Sequence, residues 1–455
     1  MKDSGRLLIR FKFIIFVFLL CNLFWGLVFA SPIKSYRVII DPGHGGIKQP
    51  PYQIYGDKYD PIRGKYLEHF KAGATYKSRT EMEIALKLAI EVNKVLKLTR
   101  TKKGFKRFQS FIKMFSNTDA PWIRIDSVLT RKDSYKDRKY REKDDKNARY
   151  RLYDYPDFKT GRMKMGRISR INRLKPYLVV SLHINTKGNH GMGAVLAPSY
   201  KTFKLLKDIS MGKESKNKFL KSDWRNWLIF KDEWNHLENA MADSWIYFHG
   251  YWPDKSGKKT NLKKFEGYRH NMITWRYKDD DNWIKEALAD KPGPYAKSHE
   301  KFRPIGRFWD RERSKYEFMR RENGPEGFGG DNYYAGKELL RFIQYGLRVL
   351  KKEKDRFKEP SPILSPYVST YSIPTFMNAI SAFLELGDIT YDKDMYFMTK
   401  KRKRVAVCLA VGIYSLFYGL DIKPKDYPYV PKGSKIDFYK YSDNKGVSYF
   451  QKSVK

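Results

Sequence analysis

Short apolar runs alternate with longer amphipathic segments over much of the chain, and this alternation predicts an α/β fold. The run 176–183 is apolar almost throughout, which is typical of a strand buried on both faces. The predicted strands are 36–40, 125–130, 176–183, 193–197 and 380–385. Apolar residues at helical spacing predict helices at 80–97, 163–174, 333–350 and 404–418. We expect one domain built on a mixed central sheet with helices on both faces.

A long insertion interrupts this pattern. Residues 199–331 hold eight of the ten tryptophans among polar residues and show no long periodicity. The domain is therefore expected in two parts, 31–198 and 332–420, on either side of the insertion. A basic tail rich in Tyr and Lys, 421–455, follows the domain and is expected to be loose.

The N-terminus has the pattern of an export signal. Four basic residues precede an uncharged stretch from Phe13 to Ala30, and small residues at its end suit cleavage before Ser31. We therefore interpret residues 1–30 as a signal peptide. An uncleaved anchor is the alternative, because 18 apolar residues nearly span a bilayer. In both cases the protein is expected to be exported to the periplasm or cell envelope.

The charge of the chain indicates a polyanionic partner. Its 91 Lys and Arg against 50 Asp and Glu give a formal net charge of +41. Export argues against nucleic acid, and no recognition motif for it is present. The membrane is expected as a partner only through an uncleaved leader. Two cysteines exclude a disulfide framework.

The candidate chemistry lies at element ends. His44 follows the first predicted strand, His183 ends the buried strand, and Glu81 begins a helix. Two imidazoles and one carboxylate would give a metal ion three protein ligands and leave its fourth coordination position open, as in catalytic zinc sites. Glu385, flanked by apolar residues, needs a cation, a metal or a raised pKa, and can serve as a base. Each residue also has a structural alternative: a turn residue for His44, a helix-dipole partner for Glu81 and a satisfied core histidine for His183. Thr80 and Glu83 have the spacing of a capping box, which leaves Glu81 free for other work.

Several of these segments, in this order, resemble the zinc-dependent N-acetylmuramoyl-L-alanine amidases, which are peptidoglycan hydrolases. The opening segment Val38–Gly46 is similar to the first motif of that family, and Glu81–Leu86 is similar to the start of its ligand-bearing helix. The other similar segments are Val128–Arg131, Arg167–Asn172, Ser181–Asn185 and Phe383–Gly387.

This resemblance implies a role for each candidate residue. His44, Glu81 and His183 would hold one zinc ion per chain, and Glu385 would be the general base. The enzyme would cleave the amide between the lactyl group of N-acetylmuramic acid and L-alanine in peptidoglycan. Inserted segments in the family can occlude the site until an activator protein displaces them. The insertion 199–331 is thus expected to occlude the site, to grip glycan strands or to form only a small core of its own.

Two other functions remain open on the sequence. The first is another exported zinc amidohydrolase, such as a peptidase or a carbohydrate deacetylase. The second is an inactive wall-binding homologue, against which the complete set of four site residues argues. The excess positive charge is then expected to hold the protein to the anionic envelope.

Overall fold

A six-stranded sheet forms the centre of the molecule, with the strand order β11 (Tyr367–Val368), β10 (Gly193–Leu196), β12 (Ile380–Asp388), β9 (Leu178–Asn185), β1 (Ser35–Pro42) and β6 (Arg124–Leu129). The computed structural model describes residues 34–45, 57–60, 65–68, 73–132, 151–152, 155–157, 162–186, 190–196, 215, 328–368, 373–375, 377 and 379–438. The predicted leader, nearly all of the insertion 199–331 and residues 439–455 lie outside the described residues.

The sheet is mixed, as the sequence predicts. Strands β6, β1, β9 and β12 run parallel, β10 pairs antiparallel with β12, and β11 is parallel to β10. Three small two-stranded sheets accompany it: β2 Asp57–Asp60 with β3 Lys65–Glu68, β4 Thr75–Tyr76 with β5 Arg79–Thr80, and β7 Tyr155–Asp157 with β8 Arg162–Lys164.

Helices cover the sheet on both sides. Alternate residues of one strand belong to different cores: Val38 and Ile40 of β1 pack in the larger core and Ile39 in the smaller one. The helices are α1 Glu81–Lys97, α2 Lys102–Phe115, α3 Arg167–Leu174, α4 Phe328–Val349, α5 Asp392–Met395 and α6 Arg402–Tyr418. Helices α1, α4 and α6 contribute to the larger core, and α3 contributes Ile168 and Ile171 to the smaller. The α/β prediction is confirmed.

Every strand and helix predicted for the described part of the chain is present, with shifted ends. The run 176–183 becomes β9, whose first seven residues are all buried, which confirms that both of its faces are covered. The helix predicted at 163–174 is shorter, because residues 162–164 form strand β8 and α3 begins only at Arg167. The capping box at the start of α1 is wrong: the Thr80 side chain makes no capping hydrogen bond, and its hydroxyl oxygen is buried without a partner among the described residues.

Two segments differ more strongly from expectation. No element was predicted between residues 97 and 125, yet α2 lies there and buries Phe105, Phe108, Ile112 and Phe115. The tail was expected to be loose, but its described residues 421–438 pack on the domain, with Ile436 and Phe438 in the larger core. The buried Glu338 carboxylate of α4 anchors this segment by accepting a 2.7 Å hydrogen bond from the Gly433 amide.

None of the described helices combines the length and the apolar character that crossing a bilayer requires.

Candidate metal centre

His44 is placed by the glycine-rich turn that ends β1. The Gly43 amide donates a 2.9 Å hydrogen bond to the carbonyl of Leu182, which ties the turn to β9. His44 follows with a left-handed backbone (φ 58°) and a side chain that is 26% exposed. The turn thus directs the His44 imidazole toward the carboxyl end of β9, which is where open α/β sheets bind ligands.

Glu81 is the first residue of α1, and its buried carboxylate is held on both oxygens. Oε1 accepts a 3.0 Å hydrogen bond from the Ile184 amide, and Oε2 accepts a 2.7 Å bond from the Ala74 amide. The Ala74 carbonyl in turn accepts a bond from the Glu81 amide at 2.9 Å. Because each oxygen already has a backbone donor, the carboxylate has a fixed orientation.

His44 and His183 converge on the same oxygen of Glu81. His183 Nδ1 lies 2.9 Å and His44 Nε2 lies 3.2 Å from Glu81 Oε1. Burial by itself raises the pKa of Glu81, but the charge of His44 and the hydrogen bonds from both imidazoles hold this pKa far below its ordinary range. The carboxylate is therefore ionised at neutral pH, as a metal ligand must be.

His183 lies on β9 and is buried. Burial lowers its pKa below the ordinary value against the opposing influence of Glu81, which favours the neutral imidazole that binds metals. Its Nε2 is buried and makes no hydrogen bond to the part of the chain that the structure describes. Its ring is nearly perpendicular to that of His44, with centroids 5.0 Å apart.

These three side chains fit a metal ion. Their donor atoms all lie within 4.8 Å of one another, and they form the only such group among the described residues. Two imidazole nitrogens and a carboxylate oxygen are a borderline ligand set that suits zinc, and three protein ligands leave a fourth position free. The two imidazoles now share Glu81 Oε1, so the donor atoms already point toward one small volume.

Two glycines make room for the ligands. A Cβ atom at Gly43 would lie 2.5 Å from His183 Nδ1, closer than real Cβ contacts. A Cβ atom at Gly73 would lie 2.5 Å from His44 Cδ2 and 2.7 Å from Glu81 Cδ, at a φ of +76°. Any side chain at either position would displace one of these candidate ligands. Gly43 lies within the motif Val38–Gly46, whereas no sequence pattern pointed to Gly73.

Glu385 completes the group from the neighbouring strand. It pairs with His183 in the register of β12 and β9, so both side chains project from the same face of the sheet. Its Oε2 is buried and has no hydrogen-bond partner among the described residues. Burial and the nearby charge of Glu81 raise the pKa of Glu385 well above its ordinary value, as suits a group that exchanges protons near neutral pH.

Two buried arginines, each at one end of a motif segment but with no role predicted from the sequence, hold the segments that carry the candidate ligands. Arg131 donates hydrogen bonds to the carbonyls of Pro42 (3.2 Å), Gly43 (2.9 Å) and Met82 (2.8 Å), so it joins the His44 turn to the first turn of α1. Arg167 donates to Pro42 O at 2.9 Å and to Asp41 Oδ1 at 3.0 Å. Their place within these motifs was the only signal in the sequence, because their partners, backbone carbonyls and the Asp41 carboxylate, are brought to them by the fold.

His190, the one other histidine among the described residues, does not extend this group. His190 is half-exposed, stacks on Tyr391 with centroids 4.0 Å apart, and has its Nδ1 3.8 Å from Asp388 Oδ2. The other histidines lie outside the described residues.

Comparison with known proteins yields only structural similarities. No protein-family model matches the chain, and no curated protein sequence matches it. The chain is similar to the N-acetylmuramoyl-L-alanine amidase from Clostridium difficile 630, with 13% identity, a TM-score of 0.30 and coverage of 84% of this chain and 96% of that one. It is similar to the CwlD amidase from Clostridioides difficile in complex with the GerS lipoprotein, with 12% identity, a TM-score of 0.30 and coverage of 83% of this chain and 96% of that one. It is also similar to the N-acetylmuramyl-L-alanine amidase Ami1 from Mycobacterium smegmatis, with 9% identity, a TM-score of 0.32 and coverage of 84% of this chain and 97% of that one.

Proposed function

We propose that this chain is an exported zinc-dependent N-acetylmuramoyl-L-alanine amidase that acts on peptidoglycan. The observation that carries the proposal is the convergence of His44, Glu81 and His183 beside Glu385, whose buried Oε2 has no hydrogen-bond partner among the described residues. The order of the motifs that resemble the amidase family supports the choice of substrate. The bond cleaved is the amide between the lactyl group of N-acetylmuramic acid and L-alanine.

Each site residue has a defined task in this proposal. His44, Glu81 and His183 would hold the zinc ion, through one nitrogen of each imidazole and a carboxylate oxygen. When bound, zinc supplies Lewis-acid chemistry that polarises the scissile carbonyl and acidifies water. The Glu81 carboxylate and the neutral His183 are already in the protonation states that ligation requires.

Glu385 would carry the proton through the reaction. Its carboxylate takes a proton from the attacking water, holds it on an oxygen, and delivers it to the nitrogen of the departing L-alanine. A raised pKa suits both halves of this task, because the group must accept a proton and then release it. The products are a free lactyl carboxylate on the glycan and a stem peptide with a free amino terminus.

The sequence supports two further parts of the proposal. Residues 1–30 have the pattern of a signal peptide, which would deliver the enzyme to the periplasm or cell envelope. The insertion 199–331 would be the segment through which an activator protein acts, or a surface that grips glycan.

Product analysis tests this function against its alternatives. Purified sacculi treated with the protein should release intact stem peptides with new L-alanine amino termini, and a chelator should stop the release. Release of acetate would instead identify a deacetylase, and cleaved stem peptides would identify a peptidase. No product at any zinc concentration, with and without envelope extract as a source of activator, would identify an inactive wall-binding protein.

A further inference from the structure

The exposed side of α2 is a basic face formed by Lys102, Lys103, Lys106, Arg107 and Lys113. All five side chains are exposed, while Phe105, Phe108 and Ile112 on the opposite side of the helix are buried in the core. The helix is thus fixed by its apolar side and presents its cations to solvent. None of the contacts described for the domain requires these charges.

The described segments next to this face carry few acids that could neutralise it. Residues 92–118 contain eight basic residues and no Asp or Glu. Asp126, on the neighbouring strand β6, is 2.8 Å from Arg100 and 3.6 Å from Arg37, so its charge is already paired. Asp119 and Asp421 are exposed beyond the end of α2. The basic face therefore keeps a net positive charge that attracts an anionic surface.

The basic face begins at the edge of the sheet opposite the metal centre. Helix α1 starts at Glu81 in that centre and runs 17 residues to Lys97, about 25 Å at 1.5 Å per residue. Beyond it, the Thr99 hydroxyl oxygen accepts a 2.9 Å hydrogen bond from the Ile125 amide, near the start of β6. The Gln109 side chain of α2 is tied to the same region by a 2.8 Å bond to the Ala120 carbonyl.

The described chain also begins at this edge. Strand β1 starts at Ser35, opposite Arg124 in β6, and the Lys34 carbonyl accepts a 2.9 Å hydrogen bond from the Arg124 amide. In the sequence only residues 31–33 separate Lys34 from the apolar stretch Phe13–Ala30, a link of at most about 14 Å. A chain that leaves a bilayer at Ala30 would therefore enter the domain beside the basic face.

We propose that the basic face binds the anionic phospholipid headgroups of the membrane surface. The basic face lies beside the point where a chain that leaves a bilayer would enter the domain. A wall polymer would not require the face to lie at that point, so this position favours a bilayer as the partner. Binding in this way directs the metal centre away from the bilayer. The attraction is electrostatic and adds to any anchoring by a retained leader.

Vesicle binding by the full exported protein tests this inference. The face variant carries Lys103→Gln, Lys106→Gln, Arg107→Gln and Lys113→Gln. The control variant removes the same charge from exposed lysines near the C-terminal end of α4 and on α6, through Lys351→Gln, Lys352→Gln, Lys354→Gln and Lys403→Gln. Partition is measured onto vesicles of phosphatidylcholine alone and of phosphatidylcholine with phosphatidylglycerol, at low and physiological salt.

The difference between the two vesicle types isolates the headgroup charge, because residues 13–30 contribute equally to both. We expect the face variant to bind phosphatidylglycerol vesicles about tenfold or more weakly than wild type, and the control variant to bind within about twofold. Equal binding by the face variant and wild type would overturn the inference. So would a face variant that loses binding to purified sacculi and keeps vesicle binding, since the partner would then be a wall polymer. The measurement involves no hydrolysis, so its failure would leave the proposed activity standing.

Discussion

The ring of Phe383 stacks on the imidazole of His183, with centroids 4.1 Å apart and 17° between the ring planes. Phe383 lies on β12 two residues before Glu385, so one strand provides both the support of a candidate ligand and the candidate base. The stacking limits the directions in which the imidazole can turn. The orientation of His183 toward Glu81 thus depends on a residue that binds no metal itself.

Replacing Phe383 should therefore weaken zinc binding. In Phe383→Leu the imidazole loses its aromatic support, and we expect zinc affinity to fall about tenfold, as for other residues that orient metal ligands. Competition with a chromogenic chelator measures this affinity. Phe383→Tyr keeps the stacked ring and should restore binding; a tyrosine variant as weak as the leucine variant would contradict the stacking role.

Glu385→Gln should separate metal binding from hydrolysis. The amide cannot accept a proton from water, so we expect release of stem peptides from sacculi to fall about 100-fold or more. The three ligands are unchanged, and zinc should remain stoichiometric by elemental analysis. A variant that hydrolyses sacculi at the wild-type rate would refute the assignment of Glu385 as base.

His44→Ala should lose the metal together with activity. His44 contributes one of the three donor atoms of the candidate metal site. No other described residue belongs to this group of donors, so none replaces the lost imidazole. We expect zinc to be removed by dialysis against a weak chelator that leaves wild type loaded. His190→Ala is the matched control, because that histidine lies outside the group and should not change zinc content. Stoichiometric zinc in His44→Ala would exclude the ligand role.

Arg131→Met should destabilise the fold as well as the site. The substitution leaves the carbonyls of Pro42, Gly43 and Met82 without this buried donor, at a cost of about 3 kcal/mol in the free energy of unfolding. Urea unfolding of the zinc-free protein measures that loss. Arg131→Lys should recover only part of it, because one ammonium group does not reproduce the planar guanidinium fork. Full recovery by lysine would show that charge alone matters.

Asp355 should make stability depend on pH in the acid range. Lys401 lies 2.5 Å from its carboxylate, and Arg404 also pairs with it. Although burial acts to raise the pKa of Asp355, hydrogen bonds from Arg404 and Lys401 hold it below its ordinary value. The stabilisation is therefore present above the unfolded-state pKa of about 4 and is lost as pH falls through the lower folded-state pKa.

Asp355→Asn tests that contribution. We expect the variant to be about 2 kcal/mol less stable than wild type at pH 7, and this difference to shrink as pH falls below about 4. Urea unfolding across this pH range provides the measurement. Glu353→Gln removes an exposed acid from the same turn and should have little effect at any pH. A difference between Asp355→Asn and wild type that is constant from pH 7 to the acid range would mean that the carboxylate charge is not the cause.

Local sequence patterns were sufficient to predict the strands and the helix that carry the site residues. The apolar runs of β1 and β9 are local consequences of the burial of both strand faces, so both strands were predicted close to their observed positions. Helix α2 shows what such patterns leave undecided. Its apolar residues had a helical spacing, but the rings that bury them, Tyr414 and Phe342, lie more than 200 residues away.

The candidate metal ligands and base were also named from the sequence, because strand ends in α/β folds collect ligands and because the motifs resemble a family. Their convergence was decided by the tertiary structure alone. The parallel register of β1, β9 and β12 brings His44, His183 and Glu385 to one edge of the sheet, and the start of α1 brings Glu81 there. Pairing of distant strands is non-local, so no window of sequence contains it. The same reason explains why the roles of Gly73 and Arg131 emerged only from the fold: Gly73 makes room for the side chain of His44, and Arg131 donates to the carbonyl of Met82, both in segments distant along the chain.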